Sequence, residues 1–255
     1  MKYLLYCILR NSAPPPKSIP GGVRGKRISY ISCNQLSAAV STVLQQDLAP
    51  DVPRLVAYGE VIAAFHREGA VIPLRYGSVL EDISRGRQLL EKNYARYSAL
   101  LNELEGCVEM GIRILPAAGE ACLPLPATRD RQPQLSPGTA PHAGRAWLAE
   151  RRNYYAAGEQ FAEASREVIA RYRQAFNGLY RKCSVDPLPA AAPRHAGSPM
   201  LSLYFLVPQC HTKKFCAEFH ELSSREAAKL LLSGPWPPYN FAVTDETSDQ
   251  TAFSL

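Results

Sequence analysis

The sequence predicts an α+β protein: a ferredoxin-like N-terminal domain followed by a C-terminal α+β domain with a long helix. Three observations carry this. Residues Tyr3 to Leu9 form an unbroken run of aromatic, branched and other apolar side chains, as a buried central strand requires. Ile83, Leu90, Tyr97 and Leu104 recur every seven residues with Tyr94 and Leu101 between them, the spacing of an amphipathic helix. Stretches rich in proline, at 116–144 and 186–199, separate the patterned segments from one another.

Taken in order, Asn11 to Gly25 contains PPP and PGG and reads as a loop. Arg27 to Ser32 predicts a second strand, Asn34 a short helical turn, and Ala38 to Leu44 a third strand. Val52 to His66 places Leu55, Tyr58, Ile62 and Phe65 at helical spacing. Val71 to Leu80 is strand-like but interrupted by Pro73 and Gly77, which suits an edge strand or a bulge. Leu80 to Leu104 reads as one helix stopped by Gly106, and Cys107 to Leu115 as the next strand. The succession strand, strand, strand, helix, strand, helix, strand is the basis of the ferredoxin-like assignment.

Residues 117–144 read as a Pro-rich linker and domain boundary between a first domain at 1–116 and a second at 145–244. The second opens on a helical pattern from Arg145 to about Lys182, in which Trp147, Tyr154, Phe161 and Val168 lie seven apart. Met200 to Val207 predicts a buried strand, Gln209 to Leu222 a helix, and Ala227 to Leu232 a strand. Gly234 to Phe241 reads as a rigid turn and 245–255 as a flexible acidic tail.

Composition narrows the function. The net charge of +6 permits an anionic partner without demanding one, and the excess of basic residues between Arg145 and Lys182 reads as a solvated helix face. Seven dispersed cysteines without a CxxC pair argue against a disulfide framework. No apolar run approaches the roughly 20 residues of a membrane helix. The opening MKYLLYCIL is short and ends at Arg10, so it reads as a strand rather than a signal peptide, with a cytoplasmic location expected. The chain has no P-loop, G-x-S-x-G, G-x-G-x-x-G or H-E-x-x-H. Cys210, His211, Cys216 and His220 match no common zinc spacing. The expectation is a protein without catalytic residues, metal or cofactor.

Two segments are unusual. In PLRYGSV (Pro73 to Val79), Pro73 restricts the backbone, Arg75 places a charge within an apolar stretch, Tyr76 adds an aromatic ring and Gly77 permits a bend. Such a segment is either a bulge with a paired arginine or an edge that receives a partner strand. In GPWPPYNF, Gly234, Pro235, Trp236, Pro237, Pro238, Tyr239 and Phe241 combine stiffness with large apolar area. That combination serves as a clamp on the protein's own body, as an aromatic docking surface, or as both.

Five segments, in order along the chain, give a family resemblance: KYLLYCIL, VIPLRYGSV, LLEKNYARYSALLNELEGCVEMGIRIL, GRAWLAERR and GPWPPYNF. They resemble the first strand, the "vlPlrFGtv" segment, the long helix with its "G-x-VE-x-G" strand, the "GraYLarrR" helix start and the GPWPPYSF signature of the gas vesicle F/L proteins. Asn240 stands where serine is usual. The resemblance implies a non-catalytic accessory protein of gas vesicle assembly. It implies contact with the hydrophobic gas vesicle shell protein and other gas vesicle accessory proteins, with no nucleic acid or membrane, and a location at the gas vesicle. The alternative is a nucleic-acid-binding ferredoxin-like module, because such sheets stack bases on aromatics. Cys107 to Leu115 lacks the glycine with interleaved aromatics that this reading needs.

Overall fold

The computed structural model describes residues 2–12, 16, 18–44, 47–115, 166–185 and 201–242. The expectations for 117–144, 145–165, 186–199 and 245–255 lie outside the described residues. The described residues divide into two compact units, each discontinuous in sequence. The first takes those of Met1–Met110, Leu206–Cys210 and Gly234–Leu255; the second takes those of Gly111–Phe205 and His211–Ser233. GPWPPYNF thus belongs with the N-terminal residues, whereas composition divides the chain at 117–144.

The first unit is built on β1 (Lys2–Arg10), whose Leu4 to Ile8 are fully buried. β1 pairs antiparallel with β3 (Leu36–Val43) on one side and with β4 (Val71–Pro73) and β5 (Val79–Leu80) on the other. β2 (Ser29–Cys33) extends the sheet beyond β3, giving the order β2-β3-β1-β4. The helical turn expected at Asn34 is instead a tight hairpin turn, with Cys33 paired to Leu36 and Asn34 at φ 53°, a conformation asparagine tolerates.

One face of this sheet packs on α1 (Val52–Glu68) through Tyr58, Val61, Ile62 and Phe65. Asp51 caps α1 by accepting from the Arg54 amide at 2.8 Å. Leu55, expected on the core face of α1, lies on the surface. The opposite face packs on Leu90, Tyr97, Leu101 and Leu104. These side chains come from two helices, α2 (Ile83–Lys92) and α3 (Tyr94–Leu104), and not from the single helix the heptad predicts. The break falls at Asn93, whose side-chain amide donates to the Leu89 carbonyl at 2.9 Å beside its own backbone N–H at 3.2 Å. Ile83, the first residue of α2, is exposed.

The remaining strands form a four-stranded sheet, β7-β8-β6-β9, from β6 (Cys107–Leu115), β7 (Lys182–Val185), β8 (Leu201–Pro208) and β9 (Lys229–Trp236). Residues 166–175 form helix α4. The helical pattern predicted to reach Lys182 therefore ends earlier, and Lys182 begins a strand. α5 (Thr212–Arg225) contributes Phe215 to an aromatic core in the second unit. There Phe176 stacks on Phe215 at 4.3 Å between ring centroids, and both rings lie within 5.5 Å of Phe205.

The protein is α+β. A ferredoxin-like unit runs β-α-β-β-α-β; here three strands precede the first helix, as the sequence order strand, strand, strand, helix predicts.

Candidate functional site

The two unusual segments meet in the first unit, against the same core cluster. Tyr76 and Tyr239 both pack on the group formed by Leu4, Tyr6, Cys7, Tyr58 and Ile62. Tyr58 organises the first segment. Its hydroxyl donates to the Leu5 carbonyl at 2.6 Å and lies 3.0 and 3.1 Å from the carbonyls of Leu74 and Arg75. Its ring stacks on Tyr6 at 4.8 Å and meets Tyr76 edge-on at 5.3 Å. Burial, with smaller effects from Cys7, Tyr239, Tyr6 and Tyr76, holds the Tyr58 hydroxyl well above its ordinary pKa, so it stays a donor.

PLRYGSV is not a strand carrying an internal charge. Pro73 is buried in β4, and residues 74–78 loop out before β5 resumes the pairing with β1. Arg75 is exposed on that loop, and Gly77 adopts φ 89°, where a side chain is strained. The loop is anchored at both ends, by Leu74 N–H to the Tyr6 carbonyl and Leu5 N–H to the Ser78 carbonyl, each at 2.9 Å.

GPWPPYNF is a strand end followed by a hook. Gly234, Pro235 and Trp236 complete β9, with a cis bond between Gly234 and Pro235. Gly234 has φ 115°, and a Cβ there would sit 2.6 Å from the Glu109 carbonyl oxygen, so only glycine fits. Pro237 and Pro238 are buried. Pro238 has φ −78° and ψ 65°, and Tyr239 N–H donates to the Pro237 carbonyl at 2.8 Å, an inverse γ-turn. A single turn at Tyr239–Phe241 follows.

The hook then divides its aromatics. Tyr239 packs on the Tyr58 cluster, while Phe241 and Ala242 pack on the cluster containing Leu90 and Leu101. The hook therefore touches both layers of the first unit. Burial first, then Cys7 and Glu109, pushes the Tyr239 hydroxyl up to about 12. Trp236 is 53% exposed. Pro237 and Pro238 are buried and Tyr239 and Phe241 pack on the core clusters, whereas Pro235 and Trp236 are exposed.

Glu109 was not singled out in the sequence, yet it fastens the hook. Only 4% exposed, its carboxylate accepts the Asn240 backbone N–H at 2.7 Å on one oxygen and the Asn240 side-chain amide at 2.7 Å on the other. The available signal was an acidic residue in the middle of an apolar strand, CVEMGIRIL.

No cluster of three or more His, Cys, Asp or Glu side chains with metal-binding placement occurs among the described residues. The second unit holds an open cleft of about 570 Å³. Its lining includes Arg166, Arg173, Gln174 and Tyr180 but no carboxylate, thiol or imidazole. No described helix is long and apolar enough to cross a membrane.

The pattern characteristic of the proteins described as "Gas vesicle synthesis protein GvpL/GvpF" matches residues 2–243. The chain belongs to that family. It is 28% identical over 200 residues to gas vesicle protein L of Streptomyces sp. (strain CB03234), covering 76% of this chain and 71% of that one. Gas vesicle protein F of the same strain is 26% identical over 244 residues, covering 94% and 99%. In fold the chain resembles crystal structures of GvpF from Anabaena sp. PCC7120 (TM-score 0.67, 16% identity, 95% and 96% covered). It also resembles GvpF from Microcystis aeruginosa (TM-score 0.69, 16% identity, 95% and 99% covered). Membership implies a role in gas vesicle formation, and the family is one of assembly proteins rather than of known enzymes.

Proposed function

We propose that this GvpL/GvpF protein is a non-catalytic assembly factor that binds the hydrophobic gas vesicle shell subunit before or during shell growth, in the cytoplasm at the forming vesicle. A subunit with an exposed apolar face aggregates unless it is capped. The observation that carries the reading is Trp236: a large indole left outside while the residues immediately after it are locked inward by Glu109 and the core. Rigidly held, exposed aromatics are the usual anchors of protein interfaces. The nucleic-acid alternative has no comparable support, since the described part of β6 carries no aromatic side chain.

The test is Trp236→Ala, assayed by affinity capture of co-expressed shell subunit. Capture should fall at least about tenfold, while the unfolding midpoint stays within about 0.5 kcal/mol of the parent. Undiminished capture by a folded variant removes Trp236 as the docking residue. Failure of the parent to capture the shell subunit refutes the function itself.

A further inference from the structure

Helix α1 carries an exposed apolar flank in its first two turns. Its inner side supplies Tyr58, Val61, Ile62 and Phe65 to the core. On the flank beside it, in the first two turns, Val52 is 73%, Leu55 44% and Val56 53% exposed, at the i, i+3, i+4 spacing of a helical contact stripe. Gly59 continues the stripe at i+7, and a Cβ built there meets nothing within 4 Å, so the surface is open and low at that point. A helix solvated on one side ordinarily presents polar residues there.

We infer that this exposed flank of α1 docks an amphipathic helix of the shell subunit, close to the backbone at Gly59; the inference rests on the shell-binding reading above. Three features select this occupant. The spacing is that of helix-mediated recognition, in which i, i+3, i+4 and i+7 positions are the anchors. The rim carries both signs, with Glu60 and Arg67 exposed two turns apart, so it offers no basic border of the kind an anionic lipid surface or a nucleic acid requires. Instead it matches a partner helix bearing a basic and an acidic residue two turns apart. Finally, the three side chains expose on the order of 200 Å² of apolar surface. A stable dimer needs roughly 800 Å² per partner, so a second copy of this chain is not sustained by the stripe alone. A single helix held at a further contact, such as Trp236, is within its means.

The test is the double variant Val52→Glu/Val56→Lys in the full chain. It replaces two of the three apolar side chains of the stripe while adding an i,i+4 ion pair that supports the helix. Gly59→Ala is its companion, which should raise thermal stability because Ala is the better helix former and the site is open. Shell-subunit capture should fall about tenfold or more in the double variant, and should weaken in Gly59→Ala despite the gain in stability. Parental capture by the double variant, where Trp236→Ala loses it, overturns the inference and leaves the function standing. Loss of self-association in place of shell binding also overturns it, making the stripe an interface between copies. No capture by the parent overturns both.

Discussion

Replacing Glu109 by Gln tests whether the hook is fastened as described. The carboxylate accepts two N–H donors from Asn240, one on each oxygen, each at 2.7 Å. Glutamine keeps the shape but offers a carbonyl on one side only. Its amide then opposes an N–H donor, leaving one of the two donors without an acceptor in a half-buried place. A hydrogen bond to a charged group contributes about 1.5–3 kcal/mol, and an unsatisfied buried donor costs about 1–3 kcal/mol. The expected destabilisation is therefore about 2–3 kcal/mol, a fall of roughly 4–12 °C in midpoint for a chain of this size. Native-state hydrogen exchange reports the mechanism directly, because the Asn240 amide should lose protection while the β1 and β3 amides retain theirs. Asn240→Ser keeps the backbone donor and supplies a hydroxyl donor, so it should cost less than about 1 kcal/mol. A Glu109→Gln protein with parental midpoint and a fully protected Asn240 amide would refute the reasoning.

Gly234→Ala should be costly, because it adds both a strained φ and a 2.6 Å approach to a backbone oxygen. About 3 kcal/mol is expected in urea unfolding, and a loss below about 1 kcal/mol contradicts the geometry. Alkaline pH should also destabilise the fold. Tyr239 and Tyr172 are both pushed up to about 12, chiefly by burial, against an ordinary value of 10.0. A tyrosine whose pKa is higher in the folded state favours folding fully below its unfolded value and loses that contribution as pH rises toward the folded one. The urea midpoint should accordingly hold to about pH 10 and fall between about pH 10 and 12. A flat midpoint across that window, with all tyrosines ionising near their ordinary value, would contradict the burial of both hydroxyls.

What the sequence revealed, and what it did not, follows from the range of the interactions involved. β1 was legible because Leu4 to Ile8 are all fully buried, so the pattern needs no knowledge of neighbours. The α2–α3 face was legible in its buried positions, but its break at Asn93 was not, because the heptad continues across a local hydrogen bond that periodicity does not record. Arg75 misled for a similar reason. The prolines and glycine around it correctly marked an interruption, yet only the pairing of Val71–Pro73 and Val79–Leu80 with β1 puts the arginine on an excursion between two short strands. Leu55 misled differently: it lies seven residues before Ile62 and shares its direction, but it sits in the first turn of α1 and is 44% exposed.

The hook was the hardest case, because its meaning depends on residues far away in the chain. Trp236 and Tyr239 are alike in sequence terms, both aromatic and both beside proline. Their fates are separated by two contacts of long range: Gly234 lying against the Glu109 backbone, and Asn240 held by the Glu109 side chain, 131 positions away. With β9 ended at Trp236 and Asn240 fixed, the turn between them leaves Tyr239 directed inward and the indole outside. Under the proposed shell-binding role, the buried acid of β6 and the exposed tryptophan act together, since an anchor that must meet a partner in a defined pose needs its own backbone held first. It follows that Glu109→Gln and Trp236→Ala should separate in kind. The first loosens the hook and weakens capture together with stability, and the second weakens capture alone.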